Sequence, residues 1–144
     1  MSLLSEKQKF ELLAHAKQAM ERAYTPYSHF NVGAAILTAD DTIVYGCNIE
    51  NVAYGPSNCA ERTALFSAIA QGHKPRTFKA IAVMGNTEGP ITPCGVCRQV
   101  MLELLGNESA IILGNTNGQW KETTVNELLP DGFIPSSLFK EDTR

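Results

Sequence analysis

The chain has 144 residues, 44% of them hydrophobic and 19% charged, with a formal net charge of −3. That length suits one domain over 1–144, able to bury about 68–70% of the surface its unfolded form exposes. Scattered Lys and Arg in an acidic chain disfavour a polynucleotide partner. No apolar run approaches the ~18 residues of a membrane span.

Ser5, with Gln8 three residues on, forms a capping box and opens a helix. Its apolar face is Phe10, Leu13, Ala16, Met20 and Ala23, at steps of three or four, and Pro26 ends it. The charged Glu6, Lys7, Lys9 and Glu11 stand where a signal peptide would need an apolar core. No role is assigned to Met1-Ser2-Leu3. Residues 31–38 and 42–48 read as strands joined by the turn Ala39-Asp40-Asp41, an antiparallel hairpin. Residues 51–57 are a loop. Asn58 or Ser57 then caps a helix over about 59–71, which stops at Gly72. Residues 78–84, rich in Ile and Val, form a third strand, followed by a loop over 85–91.

Thr92 caps the next helix, with Pro93 at its first position, where a missing N–H costs nothing. This helix runs to Leu105 and ends at Gly106. Residues 109–113 and 120–124 are two more strands about a turn at Asn117-Gly118, and 126–129 is a short helix. The tail after Pro130 is irregular or briefly helical. Helices alternating with strands predict a layered α/β domain with a mixed sheet, without repeats or linkers.

The chemistry is concentrated in Cys59-Ala60-Glu61 and Pro93-Cys94-Gly95-Val96-Cys97. Three thiolates suit a tetrahedral zinc site with one position left for water, whereas a closed structural site uses four protein ligands. This is the signature of zinc-dependent base deaminases, which carry His or Cys at the first ligand. Both halves sit at predicted helix starts, where free N–H groups lower thiol pKa values. Three thiolates and Zn²⁺ leave one negative charge, which Arg62 can offset by hydrogen bonds to sulfur. Cys-x-x-Cys alone is as often a redox pair, and Glu61 alone could complete a capping box with Asn58. The motifs occurring together favour zinc, with Glu61 handling protons. Cys47 is the alternative third ligand, but it lies in an apolar strand with no acid two residues later and reads as core. His15, His29 and His73 read as surface or cap residues. Four cysteines in a chain with no export signal argue for reduced thiols and a cytoplasmic location.

The chain resembles cytidine deaminase of the small homotetrameric type over nearly its whole length. The resemblance rests on residues 26–35 (PYSHFNVGAA), 46–51 (GCNIEN), 59–64 (CAERTA) and 93–99 (PCGVCRQ). At 128–133 (LLPDGF) the family has Leu-Leu-Pro-Gly-Ala-Phe, so Asp131-Gly132 departs from its pattern. The resemblance implies a three-layer α-β-α sandwich with a five-stranded mixed sheet. It implies one zinc on Cys59, Cys94 and Cys97, with Glu61 as proton shuttle. Phe30 would pack at the pyrimidine, Asn48 and Glu50 would bind the ribose, and the Ala60 backbone would help read the base. Phe133 would reach a neighbouring subunit's pocket, giving a homotetramer with shared sites. The reaction implied is hydrolysis of cytidine and 2′-deoxycytidine to the uracil nucleosides and ammonia, a step of pyrimidine salvage.

Residue chemistry agrees in part. Asn48 and Glu50 end a strand two apart and point to one face, where a carboxylate accepts from a sugar hydroxyl and repels a 5′-phosphate. Taken alone, that pair could be ordinary loop polarity, and Phe30 would read as core. Blasticidin S deaminase shares the cysteine pattern, but the segment Asn48-Ile49-Glu50-Asn51 favours a nucleoside. A zinc-stabilised nucleic-acid module would want a basic groove, and a structural zinc domain a fourth ligand.

Overall fold

Ser5 closes the expected capping box: its Oγ accepts from the Gln8 N–H at 3.2 Å, and Gln8 Oε1 accepts from the Ser5 N–H at 2.8 Å. Helix α1 follows over Glu6–Met20. The structure, a computed structural model, describes residues 4–139; Met1-Ser2-Leu3 and the end of the tail lie outside the described residues. The helix stops well short of Pro26. Tyr24 is drawn into backbone pairing, its N–H donating to Asn48 O at 3.0 Å and its carbonyl accepting from Glu50 N at 2.9 Å. Extended pairing there is incompatible with helix, so Ala23 leaves the predicted face. Leu12, Leu13, Ala16 and Ala19 are the buried residues of that face, while Phe10 is exposed and meets Trp120 edge-on at 5.4 Å.

Strands β1 (Val32–Leu37) and β2 (Ile43–Cys47) form the predicted antiparallel hairpin. Then come α2 (Ala60–Ala70), β3 (Ala80–Gly85), α3 (Gly95–Leu104), β4 (Ala110–Asn115), β5 (Trp120–Thr123) and α4 (Val125–Leu128), with a 3₁₀ turn at Pro135–Ser137 in the tail. The five strands lie in the order β2-β1-β3-β4-β5. β3 and β4 run parallel and the other neighbours antiparallel, so the sheet is mixed as expected.

Alternation along the strands sends side chains to two cores. Ala35, Ala80, Ala82, Ala110 and Ile112 face α1 through Leu12, Leu13 and Ala16. Ala34, Ile36, Ile81, Val83, Ile111 and Leu113 face the other way, against Ala64, Leu65 and Ala68 of α2 and Met101 and Leu102 of α3. This is the three-layer α-β-α arrangement. Val32 pairs with Gly85 and Gly33 with Cys47, so the start of β1 and the ends of β2 and β3 share one rim of the sheet. The segments entering α2 and α3 both leave from that rim.

Gly46 lets α2 seat there. A Cβ at this position would stand 2.4 Å from both Ala60 O and Ala64 N, backbone atoms that cannot swing aside. Gly46→Ala should therefore push α2 off β2 and cost at least ~1–3 kcal/mol, the usual scale of overpacking. Gly89→Ala, where a Cβ meets nothing within 4 Å, should be near neutral. Urea denaturation of the two variants checks this, and equal midpoints would contradict it.

Candidate functional site

Both metal-motif helices begin later than their sequence cap signals predict. The N-cap of α2 is Cys59 itself, not Ser57 or Asn58, and the N-cap of α3 is Cys94, not Thr92. Long-range bonds explain the shift. Asn58 bridges Ile49 through both backbone groups (2.9 and 3.0 Å), and its side-chain amide donates to Thr63 Oγ1 at 3.1 Å. Ser57 Oγ accepts from the Asn51 N–H at 3.1 Å. Pro93 lies outside α3, its carbonyl accepting from Arg98 Nε at 2.8 Å. Neither cysteine makes a side-chain capping bond. Each stands beside the unpaired N–H groups of a helix start, a setting that favours thiolate.

The sulfurs of Cys59, Cys94 and Cys97 lie within 4.8 Å of one another, and those of Cys59 and Cys94 are 3.8 Å apart. Two thiolates each ~2.3 Å from a tetrahedral zinc would themselves be about 3.8 Å apart, so the triangle fits that ion. Arg62 Nη2 donates to Cys59 Sγ at 3.3 Å. A hydrogen bond from Cys97, with help from Arg62, pulls the Cys59 thiol down to about 5. The same shared proton, together with burial, pushes the Cys97 thiol well up. Cys47 is outside the cluster; it is half-buried at the end of β2 rather than in the core, and burial raises its thiol.

Glu61 sits in the first turn of α2 and is only 5% exposed. Burial pushes its carboxyl up to about 7 against its own backbone N–H, and the Cys59 charge adds to the rise. A cation among the sulfurs would favour its ionised form. The alternative capping box is not formed: Cys59 is the N-cap, and the Asn58 N–H that Glu61 would have to accept from goes to Ile49 O at 2.9 Å. Ala60, between ligand and carboxylate, is fully buried.

Phe30 is 39% exposed, which removes it from the core, and its Cζ lies 3.6 Å from where a Cβ on Gly85 would stand. It therefore occupies the shared rim. Asn48 staples that loop: Nδ2 donates to Phe30 O at 2.7 Å, and Oδ1 accepts from the Val32 N–H at 2.8 Å. Glu50 Oε1 accepts from the Tyr27 and Ser28 N–H groups at 3.0 and 3.1 Å, while the Ser28 hydroxyl donates to Oε2. That hydroxyl first, and the backbone donors after it, hold the Glu50 carboxyl below its ordinary range. A cavity of about 390 Å³ opens beside it, lined by Tyr27, Ser28, Glu50, Asn51, Tyr54 and Ser57. Its lining stops short of the cysteines and Glu61. Phe133 is 58% exposed and far along the chain from the rest.

Nothing local in the sequence marks Ser28 as the partner of Glu50, or Arg98 and Gln99 as donors to distant carbonyls. Ser28 lies in the 26–35 stretch, but a contact 22 residues away has no local signal. His15 is likewise no plain surface residue: its Nδ1 is 2.7 Å from the Tyr45 hydroxyl. His29 is exposed, with φ of 56°.

Residues 6–113 match the family described as the cytidine and deoxycytidylate deaminase zinc-binding region. The chain is 52% identical to a cytidine deaminase of Sporosarcina psychrophila over 128 residues, 89% of this chain and 93% of that one. It is also 52% identical to a cytidine deaminase of Halalkalibacterium halodurans over 127 residues, 88% of this chain and 95% of that one. Among solved structures, a cytidine deaminase from Burkholderia pseudomallei superposes with a TM-score of 0.86 at 52% identity, covering 90% of this chain and all of that one.

One zinc per chain should be recovered in purified protein. Replacing Cys59, Cys94 or Cys97 with Ala should lose it, while Cys47→Ala should keep it. Elemental analysis finding full zinc in Cys59→Ala would remove that residue from the ligand set.

Proposed function

Because the chain belongs to the cytidine and deoxycytidylate deaminase family, we propose that it hydrolyses free cytidine and 2′-deoxycytidine to the corresponding uracil nucleosides with release of ammonia. The observation that carries this reading is the buried Glu61 carboxylate on the same helix start as one corner of the sulfur triangle. Cys59, Cys94 and Cys97 hold zinc, which when bound there would supply Lewis acidity that lowers the pKa of a water to about 7. Glu61 takes the water's proton and passes it to N3 of the cytosine, which makes C4 the more electrophilic. Once the water oxygen has bonded to C4, the same carboxylate takes that oxygen's second proton and gives it to the 4-amino group. Ammonia then leaves as the C4–N4 bond breaks and C4 becomes a carbonyl. Burial keeps bulk water from competing for that proton. Arg62 holds the Cys59 sulfur and balances charge.

Asn48 retains one N–H, and Glu50 Oε2 has acceptor capacity left after its loop bonds. These remaining positions hold the ribose hydroxyls. The Ala60 backbone reads the base, and Phe30 packs on its ring. The ionised Glu50 disfavours a 5′-phosphate, which also separates this chain from a nucleotide enzyme. The role belongs to pyrimidine salvage.

The 1–144 chain acts as one domain, its two cores sharing one sheet, and assembles as a homotetramer in which Phe133 completes a neighbour's pocket. Large apolar side chains left in solvent support assembly: Tyr54 is 85% and Val52 76% exposed on the loop entering α2. A cytoplasmic location is supported by the three-thiol ligand set, which must stay reduced. Among the described residues no helix is long and apolar enough to cross a membrane.

Glu61→Gln should keep its zinc and fold and lose at least ~10²–10⁴ in rate, the scale of one general acid–base group. Near-full activity with zinc present would leave Glu61 no chemical role. In a substrate panel, cytidine and deoxycytidine should turn over, whereas cytidine 5′-monophosphate, cytidine in oligonucleotides and blasticidin S should not. Efficient conversion of the monophosphate would overturn the nucleoside assignment.

A further inference from the structure

Arg98 and Gln99 follow the cluster cysteine Cys97 on α3, yet each makes a side-chain hydrogen bond to the C-terminal segment. Arg98 donates from Nε to Pro93 O and from Nη1 to Leu128 O, both at 2.8 Å. It thereby ties the loop that delivers Cys94 to the C-terminal segment. Gln99 Nε2 donates to Phe133 O at 2.8 Å. Around these points Leu128, Leu129 and Ile134 pack against the core. Gly132 lies so close to α3 that a Cβ there would come within 2.3 Å of Leu102 Cδ2. The Phe133 ring, the largest apolar group of the segment, nevertheless stays 58% exposed. A tail that packed only for its own stability would bury that ring first. Here the backbone is pinned and the ring is held out.

We propose that Arg98 and Gln99 are positioning residues that fix the C-terminal segment to the metal helix and so set where the Phe133 ring stands against a pyrimidine nucleoside. Gln99 acts on Phe133 directly, and Arg98 by anchoring the start of the segment. This rests on the reading of Phe133 as part of a substrate pocket. Both tethers run from side-chain N–H donors to main-chain carbonyls, so donors of this reach are required. Gln99→Glu keeps the shape but sets an acceptor against an acceptor. Arg98→Lys lacks the fork that spans two carbonyls.

The test is cytidine kinetics, zinc content and amide hydrogen exchange of residues 128–134 in Gln99→Ala, Gln99→Glu, Arg98→Lys, Phe133→Ala and the Gln99→Ala/Phe133→Ala pair. The single Gln99 and Arg98 variants should keep full zinc and exchange faster across 128–134. Their KM should rise about fivefold, the worth of one hydrogen bond, with kcat within about twofold. In the Phe133→Ala background, Gln99→Ala should add little to KM, because nothing remains to be positioned. Fully multiplicative effects in the pair, or wild-type exchange and KM in Gln99→Glu, would overturn the proposal. An unchanged KM in Phe133→Ala alone would instead defeat the pocket reading, and with it any role of the tether in binding, even if the exchange data still showed the tail loosened.

Discussion

Cys59 and Cys94 stand where Ser, Thr, Asp or Asn would ordinarily cap a helix, and their sulfurs are 3.8 Å apart. Giving up a good N-cap costs roughly 1 kcal/mol per helix. Two such sacrifices at one rim make sense if the helix starts are reserved for a different partner. Zinc offers far more: structural zinc in small peptides contributes ~10–16 kcal/mol of apparent binding free energy. The sheet makes the meeting possible, because the register of β1 against β2 and β3 brings both helix entries to the same end. Gly46 then lets α2 lie against β2 at the height this requires.

Charge follows from that geometry. Three thiolates and a buried carboxylate outweigh a divalent cation, so a nearby fixed positive group is needed. Arg62, one turn from Cys59, meets the need through its Nη2 contact, although its buried Nε has no hydrogen-bond partner among the described residues. Arginine suits this position because it stays charged where a lysine could lose its proton. The carboxylate is one residue away, at Glu61. Cys59, Glu61 and Arg62 thus stand together at the start of one helix, and a small tilt of α2 would move all three together.

Much of this was legible in the sequence because it is local. The Ser5–Gln8 box, the hairpin at 39–41 and the spacing of Cys94 and Cys97 each depend on residues a few positions apart. The helix caps misled because Asn58 and Thr92 satisfy the usual cap chemistry while the metal motif takes the cap position itself. The early end of α1 was hidden for another reason, since Tyr24 is claimed by a backbone pairing with 48–50. Phe30 read as core because an aromatic before an apolar strand usually is; only its position at the rim, next to Gly85, separates it from the interior. Glu50 with Ser28, and Gln99 with Phe133, are pairs 22 and 34 residues apart. No periodicity announces contacts of that kind.

The Asp131-Gly132 departure shows how one segment meets two demands with one glycine. Asp131 has φ of 58°, the left-handed region, where glycine is easiest and Asp is among the better substitutes. The family pattern places its glycine there and an alanine next. In this chain the glycine has moved one residue on, to the point where the backbone presses on Leu102 and Leu129. Alanine at 132 would force Leu102, only 4% exposed in the core, to change rotamer. The arrangement accepts a modest backbone cost at Asp131 and leaves Gly132 free to sit against Leu102 and Leu129. From the seat that Gly132 allows, the Phe133 carbonyl accepts from Gln99 Nε2 at 2.8 Å, so the departure from the family pattern is compatible with a firmly held loop.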